Sequence, residues 1–331
     1  MLEVVVSYLL LEVLSYCRYR RRLQKARKKQ LPKQRDDILL WANKHRSLIP
    51  NTERHCELEN LILPTYDNYS VLTPHYKPLI FYALLRSAYL LGSGVLRLKG
   101  YRLDEMKGVR VWSKGGKDNP TVLFLHGFGF GVLPYSSVLD RLVRDGYRVM
   151  APEFPGICYN GVKAIPSLQT YSIKLLSILP PTFSVVSNSF GSYIHSCLLL
   201  LAPERIEHQT FVEPVCFYPY FGSALNFLNL TLQGIWSQPW SKTKLIQLLS
   251  FGLVSKDLSV LEVCHRVKSE VYWDAEQHLD SKTHIILSEV DYIVESHELR
   301  RYFESRHPSV KVEMVEGSGH GEALFIYQGT K

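Results

Sequence analysis

The run Phe183-Ser-Val-Val-Ser187, the turn Ser187-Asn188-Ser189-Phe190-Gly191 and the run Tyr193–Leu201 decide the fold. The first run has the length and β-branched content of a strand, and the last reads as a buried helix. Almost no chain is left between them, so the backbone must turn sharply from strand into helix. A serine on such a turn stands above the sheet at the positive end of a helix. The usual form of the turn is G-x-S-x-G, because helix and strand pack closely there. Ser187 occupies the first glycine position, and serine is also small. Taken alone, Ser189 reads first as a helix cap, so the weight falls on what surrounds it.

Outward from this turn the pattern alternates. Strands are predicted over Val109–Trp112, Thr121–Leu125, Tyr147–Ala151, His208–Val212, Thr283–Leu287 and Val310–Val315. Helices are predicted over Ser136–Asp145, Tyr171–Leu179 and His297–Glu304. Thr121-Val-Leu-Phe-Leu125 is continuously apolar, as expected of a strand covered on both faces. The expectation is an α/β protein with a doubly wound, mainly parallel sheet.

In such sheets ligands bind at the carboxyl ends of the strands, and four strand ends here carry unusual residues. Leu125-His126-Gly127-Phe128-Gly129-Phe130-Gly131 is dense in glycine, which frees backbone N–H groups to face a ligand; the amide of Phe128 is a candidate oxyanion donor. Ser189 follows the next strand end, with the amide of Phe190 as a second donor. Asp291 follows Thr283–Leu287, and His320 lies in Glu316-Gly-Ser-Gly-His-Gly321 after the last strand. A lone histidine is usually structural and a lone aspartate usually solvated. Their order carries the information: serine after a middle strand, acid after a later one, histidine after the last.

On these residues the chain, over roughly 101–325, resembles the α/β-hydrolase superfamily, specifically its serine lipase and esterase branch. Glu153-Phe-Pro-Gly156 is similar to the D-x-x-G turn of these enzymes, with glutamate for aspartate. The resemblance implies Ser189 as nucleophile, His320 as base and Asp291 as orienting acid, with Phe128 and Phe190 forming the oxyanion hole. Glu213, in Phe211-Val-Glu-Pro214, ends the strand after the helix of the serine turn and is the alternative acid. An aspartate nucleophile, as in dehalogenases and epoxide hydrolases of this fold, is disfavoured by Ser189. No cofactor and no metal are expected.

The segments beyond the core suggest a setting. Residues 1–36 carry a net charge of +7 out of the total of +8, so the globular part is nearly neutral and an extended nucleic-acid face is excluded. Twelve of the sixteen residues from Leu2 to Cys17 are apolar, and Arg18 to Lys29 is strongly basic. Basic residues after an apolar run contradict a secretory signal peptide. They favour membrane association through residues 1–29, spanning or interfacial, on the cytosolic side, with no secretion. Residues 37–100 form a helical extension. There Leu79–Leu98 is a second apolar stretch, broken by Arg86 and Arg97, and it reads as a helix packed on the main domain, with a membrane span and a lipid-facing surface as the alternatives. The core takes residues 101–216 and 282–331. The stretch 217–281, with Leu225–Leu228, Trp236 and Trp240, is too long for a plain connection and reads as a helical cap or lid. Together with Phe128, Phe130 and Phe190 it favours an apolar acyl group. Six cysteines without C-x-x-C spacing exclude a disulfide scaffold and a zinc knuckle. Asn68-Tyr-Ser70 and Asn229-Leu-Thr231 are glycosylation sequons of the kind that arise by chance.

The expectation is a membrane-associated hydrolase of lipid esters. An acyltransferase of the same fold, or a non-catalytic lipid- or protein-binding relative, is the alternative.

Overall fold

A computed structural model describes residues 2–28, 75–129, 131–160, 165–217, 257–260, 263 and 273–326. Most of the predicted cap, both sequons and much of the extension lie outside these residues.

Eight strands form one sheet: β1 (Arg102–Met106), β2 (Val109–Lys114), β3 (Thr121–Leu125), β4 (Arg148–Glu153), β5 (Phe183–Asn188), β6 (Ile206–Val212), β7 (Thr283–Val290) and β8 (Lys311–Gly319). Their order is β1-β2-β4-β3-β5-β6-β7-β8. β2 runs antiparallel to β1 and β4, and every other pairing is parallel. The helices are α1 (Leu2–Lys28), α2 (Leu79–Leu98), α3 (Ser136–Arg144), α4 (Leu168–Leu176), α5 (Gly191–Leu201), α6 (Ser296–Arg306) and α7 (Ala323–Ile326).

β1 is absent from the sequence reading because Arg-Leu-Asp-Glu-Met has no apolar alternation. It is an edge strand, held by a hairpin whose two turn residues, Lys107 and Gly108, both have positive φ (51° and 77°). That geometry matches the twist of the two strands it joins.

The buried run of β3 is explained by its two coats. Leu123 and Leu125 join a core built with Leu175 of α4, Leu198 of α5 and Phe303 of α6. Phe124, between them, points to the opposite core with Leu96 of α2 and Leu139 of α3. β4 divides in the same way: Met150 joins the first core, and Val149 and Ala151 the second. Alternate residues serve opposite faces, and both faces are covered, so no position of β3 is polar on a solvent side.

One boundary differs from the sequence reading. Ala275 and Leu279, assigned to the cap, are buried in the main core, so the core resumes before residue 282. α1 does not end with the apolar run: it continues as one helix through the arginines to Lys28, about 40 Å in all.

Candidate active site

The turn after β5 is fixed by what packs beneath it. Ser189 is in the left-handed region at φ 49°, a strained setting for a residue with a side chain. Its N–H donates to the carbonyl of Val212 at the end of β6 (3.0 Å). A Cβ on Gly191 would lie 2.2 Å from the carbonyl oxygen of Leu125, so α5 starts in backbone contact with β3. Ser187 is fully buried, and its hydroxyl lies 2.9 Å from Nδ1 of His195 on α5. His195 is stacked on Phe211 with ring centroids 3.9 Å apart. Burial drives its pKa down to about 3, against a weaker opposing effect of Gln209. This neutral imidazole is the partner that lets a serine stand where a glycine is usual.

Ser189, His320 and Asp291 are brought together from three strand ends. Ser189 Oγ is 2.8 Å from His320 Nε2, and His320 Nδ1 is 2.7 Å from Asp291 Oδ2. A carboxylate only accepts, so Nδ1 carries the proton and Nε2 is left to accept from the hydroxyl. The other oxygen of Asp291 accepts the N–H groups of Ile293 and Val294 (2.7 and 2.9 Å). The His320 side chain is nearly buried and that of Asp291 wholly so. Burial alone would lower the histidine pKa. The negative charges of Asp291 and Glu213 outweigh it, and the imidazole is pushed up to about 9.

Glu213 makes no hydrogen bond to His320. It is fully buried, in the left-handed region at φ 48°, and it ties the loops together. Oε2 accepts from Asn188 Nδ2 (3.2 Å) and from the N–H of Gly321 (2.7 Å), and Oε1 accepts from the Ser288 hydroxyl and the N–H of Ala323. Asn188 immediately precedes Ser189, Ser288 is on β7, and Gly321 follows His320. The network extends to the glycine loop, because Tyr135 donates to Asn188 Oδ1 (2.9 Å) and accepts the N–H of Gly127 (3.2 Å). Tyr135, Asn188 and Ser288 were not singled out from sequence. Only the fold brings them into contact, and no local spacing marks them.

The glycine loop lies against the serine: a Cβ on Gly127 would be 3.3 Å from Ser189 Cβ. Neither the Phe128 amide nor the Phe190 amide donates a hydrogen bond among the described residues. The ring of Phe190 is closed into the core against Phe128 and Phe154, so it is chiefly a packing residue. Phe130 lies outside the described residues. His126 is buried, with Nδ1 donating to the Gly127 carbonyl (2.7 Å), and burial lowers its pKa. Glu153, from the E-F-P-G turn, is also buried. It accepts from Tyr89 of α2 (2.8 Å) and from Trp112 Nε1 (2.7 Å), with Arg110 at 3.5 Å. It therefore joins α2 to the sheet.

No protein-family model matches the chain, and no curated protein matches it. Solved structures are similar. The carboxylesterase CesB from Bacillus subtilis aligns over 74% of this chain and 94% of its own, at 16% identity and a TM-score of 0.51. A membrane phospholipase A, described as a bacterial virulence factor, aligns over 81% of this chain and 92% of its own, at 17% identity and a TM-score of 0.50. The eight-stranded order and the helices on both faces are those of the α/β-hydrolase fold.

Proposed function

We propose that the protein is a serine hydrolase of carboxylic esters, acting on lipid esters of the acylglycerol type. The observation that carries this reading is the contact series from Ser189 Oγ through His320 to Asp291. A serine hydroxyl is a poor nucleophile until a base takes its proton. In the proposed cycle Oγ attacks the ester carbonyl carbon while its proton passes to Nε2. The imidazolium, stabilised by Asp291, returns that proton to the leaving alkoxide, and an acyl group stays on Ser189. A water molecule then repeats the sequence and frees the acid. The amides of Phe128 and Phe190 are proposed to bind the oxyanion, each worth about 10²–10³ in rate. Glu213 is proposed as the residue that positions the loops, with Asp291 as the acid. The esterase and phospholipase names of the two similar structures are consistent with this reading.

The lipid substrate class is supported by α1. Every described side chain from Val5 to Leu11 is exposed, and nearly all are apolar. A helix apolar all round is stable when buried, and here no described residue buries it. We place this end of α1 in a membrane on its cytosolic side, with Arg18, Arg20 and Arg21, all exposed, at the anionic headgroups. The test follows release of fatty acid from a vesicle-borne acylglycerol and from a water-soluble short-chain ester. Release from both, lost with Ser189→Ala, is expected. Activity that survives in the variant contradicts the reading.

The raised pKa of His320 gives a pH prediction. The base works only when neutral, and its proton leaves near pH 9. Below that, kcat/KM should rise about tenfold per pH unit, and it should level off above it. Glu213→Gln removes one of the charges that raise this pKa, so the limb should move to lower pH. The variant should also lose about 1–3 kcal/mol of stability, because each Glu213 oxygen already receives a backbone N–H and an amide nitrogen would face one of them. A pH–rate profile and denaturant titration check both; an unmoved limb contradicts the charge argument.

A further inference from the structure

Helix α2 packs one face on the domain and leaves a second, apolar face outward. Tyr82, Arg86 and Tyr89 face the protein beside the buried Leu85 and Leu96, whereas Ser87 and Arg97 are exposed. The Tyr82 hydroxyl donates to Asp257 (2.8 Å), Arg86 to the carbonyl of Tyr159 (3.2 Å) and Tyr89 to Glu153 (2.8 Å). Arg97 lies over the ring of Trp112. Arg86 is thus turned toward the domain, and Arg97 stays exposed in the last turn of the helix. The outward face is Ile80, Leu84, Leu91, Val95 and Leu98, spaced at i, i+4, i+11, i+15 and i+18. Leu91 is 74% exposed and Leu98 89%. That stripe carries no charge and runs the length of the helix, about 30 Å. An apolar face of this extent left outward marks an interaction surface.

The neighbouring helix indicates what meets it. α1 and α2 are locked together: Glu12, inside the apolar run of α1, accepts from the Tyr76 hydroxyl (2.7 Å) and from the Leu79 N–H at the start of α2 (3.1 Å). The acidic residue that interrupts α1 therefore caps its neighbour, and Pro78 at the N-cap offers no side-chain bond of its own. The Tyr8 side chain of α1 meets the backbone of Ile80, so the exposed faces of the two helices adjoin. From Arg18 to Lys28 the sequence holds seven Lys or Arg and no acid. An apolar surface bordered by the exposed cations Arg18, Arg20 and Arg21 fits an anionic bilayer.

We propose that the outer stripe of α2 is a second membrane-contact surface, seated on the bilayer beside the inserted end of α1, which holds the α/β domain against the lipid that carries its substrate. Because its inner face is docked on the domain, α2 lies on the membrane and does not cross it. The inference deepens the membrane-associated reading above and rests on it, but its test does not require catalysis.

The full chain is mixed with vesicles of phosphatidylcholine, with and without phosphatidylserine, and bound protein is measured by flotation. The variant is Leu84→Glu with Leu91→Glu; both positions are exposed, and circular dichroism verifies the fold. Wild type should float, more strongly with phosphatidylserine. The double variant should bind at least about 100-fold more weakly, the loss expected for two leucine side chains withdrawn from lipid. An environment-sensitive fluorophore on Leu91→Cys should shift to the blue on binding. Hydrolysis of a soluble short-chain ester should be unchanged by the double variant, and hydrolysis of a vesicle-borne ester should fall. Undiminished flotation of the variant overturns the proposal, as does a label that stays in water on bound protein. A lipid-free wild-type dimer that the variant dissolves also overturns it, since a second copy would then cover the stripe. A wild type that floats but cleaves no ester leaves this proposal standing and removes the proposed activity.

Discussion

Alanine at Ser189 is expected to lower kcat/KM for a chromogenic ester by about 10⁶-fold, and alanine at His320 by nearly as much. The two atoms in contact, Oγ and Nε2 at 2.8 Å, act as one unit. A hydroxyl without its base and a base without its hydroxyl are equally inert. The double variant should therefore be no slower than either single one. Asp291→Asn should cost about 10⁴-fold, because an amide nitrogen facing Nδ1 favours the wrong imidazole tautomer. None of these changes removes a core side chain, so the unfolding midpoint should stay near that of wild type. Steady-state kinetics with a denaturation control measures all four variants. Multiplicative losses in the double variant would show that Ser189 and His320 do not share one step.

Gly191→Ala should be the most destabilising of the small substitutions, at about 3–5 kcal/mol or failure to fold. The added methyl would stand 2.2 Å from the Leu125 carbonyl oxygen and 2.6 Å from its carbon. Both partners are backbone, one fixed in a strand paired on both sides and the other opening a buried helix, so neither gives way by a rotamer change. The same substitution at Gly94, in α2, meets nothing within 4 Å. There it should stabilise by up to about 1 kcal/mol through helix propensity. Denaturant unfolding of the two variants separates a packing requirement from a general intolerance of alanine. A survivor that folds should also lose turnover, because the shift of α5 carries Ser189 away from His320.

The sheet was legible because its buried strands announce themselves. Thr121–Leu125 and Phe183–Ser187 are apolar runs of strand length, and both are central strands. β1 was not legible, because an exposed edge strand needs no apolar alternation; its one local signal was the Lys107-Gly108 turn. The order of Ser189, Asp291 and His320 along the chain marked three strand ends, and the structure puts those side chains in contact. The choice between Asp291 and Glu213 depended on which carboxylate faces Nδ1, a distance that no spacing encodes. The clamp through Tyr135, Asn188, Ser288 and Glu213 is likewise made by residues remote in sequence. Hydropathy gave α2 as apolar, with docking on the domain preferred to a membrane span or a lipid-facing surface. It did not give which residues stay outward, because the arginines, tyrosines and leucines of one helix have to be assigned to faces by what the domain offers them.

Reaction of the purified full chain with a fluorophosphonate probe tests the central claim most directly. An activated serine attacks the phosphorus, fluoride leaves, and the phosphonyl group remains on Oγ, where peptide mass spectrometry locates it. The proposed chemistry predicts stoichiometric labelling at Ser189, abolished in Ser189→Ala and in His320→Ala and faster as pH rises toward 9. A folded wild type that takes no label, or takes it on another residue, would contradict a nucleophilic Ser189.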